Sequence, residues 1–118
     1  MGFYSPAQLV AEAKRSGVEV RPIDINNSQW DYSLESTGHS RHALRLGMRQ
    51  VKGLKRYEAE RLTASRHIAY QDINDLIRKS DISIYGLESL ARADAFHSIG
   101  LPSRQAIREI KKHASQQS

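Results

Sequence analysis

The sequence predicts an α+β fold that is mainly helical, with a short N-terminal helix and a small antiparallel β element followed by two consecutive helical hairpins. Two observations predict this class. Apolar residues recur at helical spacing in several segments after residue 49, whereas two short stretches before it alternate at a period of two. Glycines and polar clusters separate these segments and indicate where the chain turns. A chain of 118 residues can bury a modest core.

The predicted β element follows a first helix. Ser5-Pro6-Ala7-Gln8 is typical of a helix start, because serine can cap, proline suits the first turn and glutamine completes a capping box. Gly17 is placed to end this helix. An extended segment comes next, and Pro22 restricts it to a sheet edge or a break. The alternating runs at residues 30–35 and 44–48 flank a polar loop, so we expect them to pair as a hairpin.

The rest of the chain is predicted to be helical. We expect a short turn at residues 49–52 that meets Gly53, followed by a helix of about three turns that ends at Arg66. A second helix is expected over residues 71–79, a third capped by Ser83 and a last one opened by Pro102. We divide the chain where its charge balance changes, into an α/β segment, residues 1–43, and a helical-hairpin domain, residues 44–118.

Positive charge is concentrated in the second of these parts. Residues 1–43 carry four Lys and Arg against five Asp and Glu, whereas residues 44–118 carry fourteen against eight. This asymmetry predicts a polyanionic partner for the second part. No apolar run approaches the roughly 18–20 residues that span a bilayer, and cysteine is absent. We therefore expect no membrane association and a cytoplasmic location.

Gly53 is the predicted centre of a binding site. Glycine adopts positive φ at little cost, so the chain can reverse there just before a helix. The turn amides then lie at a helix N-terminus, where the helix dipole favours an anion. This is the form of a helix-hairpin-helix motif, and it nominates Lys52, Gly53, Leu54, Lys55 and Arg56 as phosphate-binding residues. The alternative interpretation of the same pattern is an ordinary corner between two helices, whose lysines are simply solvated.

A second helical hairpin is predicted between the helix bearing Leu87 and the helix after Pro102. Here Asp94 occupies the turn where a glycine is expected. Because a carboxylate repels phosphate, we interpret the second hairpin as structural.

No catalytic, metal or cofactor site is predicted. His39 and His42 are three residues apart, but they have no matched acidic or cysteine partner. The sequence lacks a Ser/His/Asp set, a phosphate-loop signature and a carboxylate pair of the kind that binds two metal ions. The basic face of the last helix, with Arg108, Lys111 and Lys112, is interpreted as solvated.

The order of the segments resembles an internal stretch of the bacterial family C DNA polymerases. These comprise the α subunit of polymerase III and its error-prone, damage-inducible relatives. The segments that carry the resemblance are MGFYSPAQLV, GVEVRPIDIN, WDYSLE, ALRLGMRQVKGL and DAFHSIGLPSRQA. The amino acids of these segments are more similar to the error-prone branch than to the replicative one. Residues 1–43 resemble the end of the fingers region, and residues 44–118 resemble the tandem helix-hairpin-helix region that follows it.

This resemblance implies a role in DNA synthesis without catalysis by this chain. The family's catalytic carboxylates lie upstream, and no aspartate here matches them. The residues Lys52, Gly53, Leu54 and Lys55 match the stretch that lies against the duplex backbone, although Lys55 replaces a usual small residue. The expected partners are double-stranded DNA, bound without regard to sequence, and the rest of a polymerase chain. The alternative is a free-standing helical module whose basic face binds a protein. A DNA glycosylase or lyase fits less well, because no catalytic Lys and Asp follow the hairpin.

Overall fold

The computed structural model describes residues 6–38 and 41–116 and confirms the predicted α+β, mainly helical class. Along the chain lie α1 (Pro6–Arg15), β1 (Glu19–Arg21), β2 (Ser33–Ser36), β3 (His42–Arg45), α2 (Arg56–Ala64), α3 (Ile73–Ser80), α4 (Ile84–Arg92) and α5 (Ser103–Gln116). Short 3-10 turns at Met48–Gln50 and His97–Ile99 precede α2 and α5. The predicted Ser5 cap of α1 lies outside the described residues.

The three strands form a mixed sheet in the order β1-β3-β2. The predicted hairpin is confirmed, since β2 and β3 pair antiparallel with Leu34 opposite Leu44. Both strands are displaced from the predicted runs, because the chain around Trp30 instead packs against the turn that begins at Gly47. A Cβ on Gly47 would lie 2.4 Å from the Trp30 carbonyl oxygen. The extended segment predicted before Pro22 is confirmed as β1, an edge strand that ends just before this proline. Its parallel pairing with β3 was not predicted, and it makes the sheet mixed, whereas the prediction was an antiparallel element.

Glu35 joins all three strands through two arginines. Its carboxylate accepts hydrogen bonds from Arg45 Nε and Arg21 Nη1, each at 2.9 Å. The hydrogen bond from Arg45 is the main reason that the pKa of Glu35 lies below its usual value, and partial burial opposes this effect. The sheet is therefore held together by a cross-strand ion-pair network as well as by its backbone.

The turn after β1 is fastened to the helices. Ile25 N donates to Ala95 O at 2.9 Å, and the buried Asp24 accepts from Ser98 N at 2.9 Å. Asn26 makes two bonds with the backbone of Tyr70, accepting from its N–H and donating to its carbonyl. The segment between β1 and β2 thus belongs to the helical core, and β3 lies on both sides of the expected boundary between residues 43 and 44.

The core lies among α2, α3, α4 and α5, with Ile25 and Met48 added from the preceding chain. Its largest fully buried apolar side chains are Ile25, Met48, Leu62, Tyr70, Leu76, Leu87, Leu90, Phe96 and Ile110. The helical spacing of apolar residues predicted after residue 49 is confirmed, since α3, α4 and α5 bury Leu76, Leu87, Leu90 and Ile110 in this core. Ser83 is also confirmed as the N-cap of α4, where its Oγ accepts from Gly86 N. Within residues 6–38 and 41–116, no helix has the length and apolar character needed to cross a membrane.

Candidate nucleic-acid interface

The chain reverses at Gly53 as predicted. Gly53 has φ +96°, and Leu54 N donates to Val51 O at 3.2 Å to close the turn. A Cβ on Gly53 would lie 2.7 Å from Ser89 Oγ and 3.0 Å from Tyr85 Cε1 of α4. Glycine is therefore required both by the positive φ and by the close approach of the turn to α4. The sequence indicated the first reason but not the second.

The turn and the start of α2 present unused backbone donors. Among the residues that the structure describes, the amides of Lys52, Gly53, Lys55 and Arg56 have no hydrogen-bond acceptor. Lys55 is the N-cap of α2, and its side chain makes no capping bond. Leu54 differs from the other nominated residues, because its amide is bonded to Val51 and its side chain is 6% exposed. Leu54 shapes the turn, and its neighbours supply the free amides.

Three cations surround these donors. Lys52, Lys55 and Arg56 are exposed. In the described part of the chain, neither lysine has a carboxylate partner, whereas Arg56 Nε lies 3.5 Å from Glu60 Oε2. The Arg56 guanidinium also lies 5.8 Å from the centre of the Trp30 ring. The turn therefore combines unpaired amides with positive charge, which is the arrangement that binds phosphate at helix N-termini.

An exposed aromatic side chain lies in the first turn of α2. Tyr57 is 54% exposed, and its ring centre lies 6.0 Å from Lys55 Nζ and 5.2 Å from the Arg61 guanidinium carbon. These contacts hold the two cationic side chains along one face of α2. They extend the basic surface beyond the five nominated residues to Arg61, a cation that the sequence places near the turn, and to Tyr57, which the sequence pattern did not identify as part of it.

The second hairpin has its glycine at Gly100, which corrects the prediction that Asp94 occupies this turn. Asp94 has φ +56° and follows α4 directly, where its amide and that of Ala95 bond to carbonyls of the last turn of α4. Gly100 has φ +68° and stands three residues before α5, as Gly53 stands three residues before α2. Each glycine is followed by a leucine. The prediction was wrong because the 3-10 turn His97–Ile99 separates the end of α4 from the hairpin turn.

The two hairpins differ in the donors that they offer. Gly100 N donates to His97 O at 3.0 Å and Leu101 N donates to Phe96 O at 3.2 Å, so both amides of this turn are occupied. At the first hairpin, by contrast, Gly53 N has no acceptor among the described residues. The start of α5 also has fewer cations, with Arg104 in its first turn. The first hairpin therefore offers more free amides and more cations than the second.

The remaining predicted features lie elsewhere. Arg108, Lys111 and Lys112 are exposed on α5, with Glu109 between them. His39 lies outside the described residues. Within the described ranges, no three His, Cys, Asp or Glu side chains are grouped closely enough to hold a metal ion.

Two glycine turns, each leading into a helix, define a helix-hairpin-helix protein. The chain matches the family model of the helix-hairpin-helix motif over residues 17–106, and it belongs to this family. It is 50% identical, over 94% of its length, to Error-prone DNA polymerase 3 of Agrobacterium fabrum. It is 45% identical, over the same share, to Error-prone DNA polymerase 1 of Rhizobium meliloti. The match covers 10% and 12% of these two relatives, so the chain spans about a tenth of their length. These likenesses confirm the resemblance to the error-prone polymerases.

Proposed function

We propose that this chain is a DNA-binding segment of an error-prone DNA polymerase that holds duplex DNA by its backbone. The observation that carries this proposal is the turn at Gly53. It combines four unpaired amides, at Lys52, Gly53, Lys55 and Arg56, with three exposed cations. A phosphate group can accept from the amides, and its charge is balanced by the side chains.

Binding through the backbone carries no sequence information. Phosphates repeat along every duplex, so amides and lysines at one turn recognise them regardless of the bases. Such binding suits a polymerase, whose duplex product must slide past the protein. In this proposal the chain binds the duplex, and the catalytic groups lie in the rest of the polymerase chain. No cofactor is therefore assigned to this segment. A cytoplasmic location is part of the same proposal, because that is where a bacterial polymerase meets its duplex.

The same proposal gives the two parts of the chain their roles. Residues 44–118 form the tandem hairpin domain, and residues 1–43 form the α/β segment that leads into it. The hydrogen bonds between the turn after β1 and the helices support a rigid connection between them. That connection would fix the position of the hairpins relative to the preceding part of a polymerase.

A basic module that binds a protein partner is the rival function. Its supporting observation is the exposed side chain of Tyr57 beside Lys55 and Arg61, since aromatic and cationic side chains are common at protein interfaces. Duplex binding that is insensitive to sequence and sharply sensitive to salt supports the DNA proposal. Salt-insensitive binding to an apolar partner supports the rival.

Charge reversal at the hairpin tests the proposal. Lys52→Glu with Lys55→Glu should weaken binding to two unrelated duplexes equally. The slope of log affinity against log salt should decrease by roughly one for each phosphate that the variant no longer neutralises. Fluorescence anisotropy at three salt concentrations measures both quantities. Arg108→Glu with Lys111→Glu changes the net charge by the same amount on α5 and serves as the control. A larger loss of affinity in the α5 variant than in the hairpin variant would overturn the proposal.

A further inference from the structure

A pocket of about 360 Å³ lies beside the Gly53 turn, between it and α4. The residues that line it are Gln50, Val51, Lys52, Tyr85, Ser89, Arg92 and Ala93. Lys52 enters from the turn and Arg92 from the last turn of α4. These two cations are forty residues apart in the sequence, and the contact of Gly53 with Ser89 and Tyr85 is what brings their elements together.

The polar groups of this pocket are suited to an anion. No carboxylate is among the described residues that line it. Arg92 has no ion pair within the described part of the chain, and its hydrogen bond to Ser89 Oγ is a long one of 3.5 Å. That serine is itself engaged, since its Oγ donates to Tyr85 O at 2.9 Å. Both cations therefore remain available to a ligand.

Gln50 supplies a second, independent observation. Its Nε2 is buried and has no hydrogen-bond partner among the described residues. A buried amide donor without an acceptor is unfavourable, and native structures rarely leave one unsatisfied. Because Gln50 lines the pocket, rotation of its side chain toward a bound anion would give this amide an acceptor.

We propose that Lys52 and Arg92 together hold one backbone phosphate of duplex DNA in this pocket, next to the phosphate at the turn amides. This inference rests on the proposed function and adds α4 to the DNA-binding surface. Arg92 then acts as a binding residue that the hairpin sequence alone does not identify. Tyr85, which is 61% exposed, forms the outer wall beside the bound strand.

A double-mutant cycle on the full chain tests this pairing. Arg92→Gln should weaken duplex binding for all sequences and lower the slope of log affinity against log salt by roughly one. Lys52→Gln should do the same. The combined variant should lose less affinity than the product of the two single losses, because both side chains act on one phosphate. Arg92→Lys keeps the charge and should retain more affinity than Arg92→Gln.

Arg78→Gln is the matched control. It removes the same charge from α3, where Arg78 is engaged with Asp75 at 3.1 Å. Arg78→Gln should bind DNA nearly as tightly as the unaltered chain. Equal losses in Arg78→Gln and Arg92→Gln would show an effect of net charge alone and overturn the pocket. Unchanged binding by Arg92→Gln, with weakened binding by Lys52→Glu/Lys55→Glu, would overturn the pocket and leave the proposed function standing. If the hairpin charge reversal itself has no effect, the proposed function is wrong and the pocket proposal fails with it.

Discussion

The carboxylate of Glu58, in the first turn of α2, accepts a hydrogen bond of 2.8 Å from the backbone N–H of Ser83, the N-cap of α4. Glu58 is 1% exposed, so this bond is shielded from water. A carboxylate at a helix N-terminus also interacts favourably with the helix dipole. The helix that follows the first hairpin turn thus caps the helix that precedes the second, and this bond links α2 to α4.

Removing this carboxylate should destabilise the fold. Glu58→Ala leaves the Ser83 N–H without its acceptor and creates a cavity, so we expect the free energy of unfolding to decrease by about 2–4 kcal/mol. Glu58→Gln keeps the size and an acceptor oxygen and should lose clearly less. Urea unfolding followed by circular dichroism measures both. Equal losses in the two variants would show that the acceptor at Ser83 does not matter.

Substitution of Gly53 should be more harmful than substitution of another glycine with positive φ. Gly53→Ala introduces backbone strain of about 1–3 kcal/mol and places a Cβ against Ser89 and Tyr85. Gly17→Ala is the matched control, because Gly17 has φ +78° and a Cβ there meets nothing within 4 Å. We expect Gly53→Ala to lower both stability and duplex affinity, and Gly17→Ala to lower stability alone. Thermal melts and anisotropy on the same samples distinguish the two effects.

If the two alanine variants lose stability equally, the close approach of the turn to α4 is not what requires glycine. If Gly53→Ala retains full duplex affinity while folded, the turn geometry is not needed for binding. Gly53→Val should lower stability and duplex affinity more than Gly53→Ala does, because β-branched residues very rarely adopt positive φ.

Acid should weaken the fold through Asp75. The pKa of its carboxyl is lowered from 3.8, first by the hydrogen bond from the Gln71 backbone N–H and then by the one from Lys79. A lowered pKa in the folded state means that the ionised carboxylate stabilises the fold above the unfolded value. This contribution is lost as the pH falls through about 4 and below. We expect Asp75→Asn to melt at a lower temperature than the unaltered chain at pH 7, and the difference to shrink as the pH approaches 3. A constant difference across this range would contradict this role for Asp75.

The features that were predicted correctly from the sequence are those determined by a few neighbouring residues. Gly53 and the Ser83 cap are recognisable because a turn glycine and a capping serine act within a few residues. The placement of the second hairpin turn failed for a physical reason. Asp94 does adopt a left-handed conformation, but as the end of α4, and only the packed structure shows that Gly100 is the counterpart of Gly53.

Contacts between residues far apart in the chain could not be predicted from the sequence pattern. The parallel pairing of β1 with β3 depends on a crossover fixed by Asp24 and Ile25, whose partners Ser98 and Ala95 lie about seventy residues away. The pocket between Lys52 and Arg92 likewise joins two elements that no local pattern relates. Of the nominated site, Lys52, Gly53, Lys55 and Arg56 are brought together at the turn, whereas the amide of Leu54 is used inside it.

The isolated chain should not synthesise or cleave DNA. This prediction follows from the proposed function, in which the chain holds the duplex and the catalytic groups lie in the rest of the polymerase chain. A primer-extension assay with Mg²⁺ and four nucleotides should give no product above a control without protein. Incorporation or cleavage that co-purifies with the folded chain would show a catalytic centre that neither the sequence nor the fold indicates.

The last prediction concerns Asp94, whose carboxylate the sequence placed in the second hairpin turn. Because the structure places it at the end of α4, with Gly100 at the turn, Asp94→Gly should affect DNA binding only through net charge. Asp81→Gly is a matched control for stability, since Asp81 has φ +54° and follows α3 directly. Its carboxylate lies 3.8 Å from Arg61 Nη1, so this variant also releases a cation of the basic surface. We expect Asp94→Gly to bind a duplex as tightly as the unaltered chain or slightly more tightly, by a factor no greater than that of Asp81→Gly. Both should change the free energy of unfolding by less than about 1 kcal/mol, because glycine relieves the left-handed conformation but gains freedom in the unfolded chain. Anisotropy and thermal melts give both quantities. A much larger gain in affinity for Asp94→Gly would mean that its carboxylate does face a phosphate, and a clear loss in the folded variant would mean that it orients the DNA-binding surface.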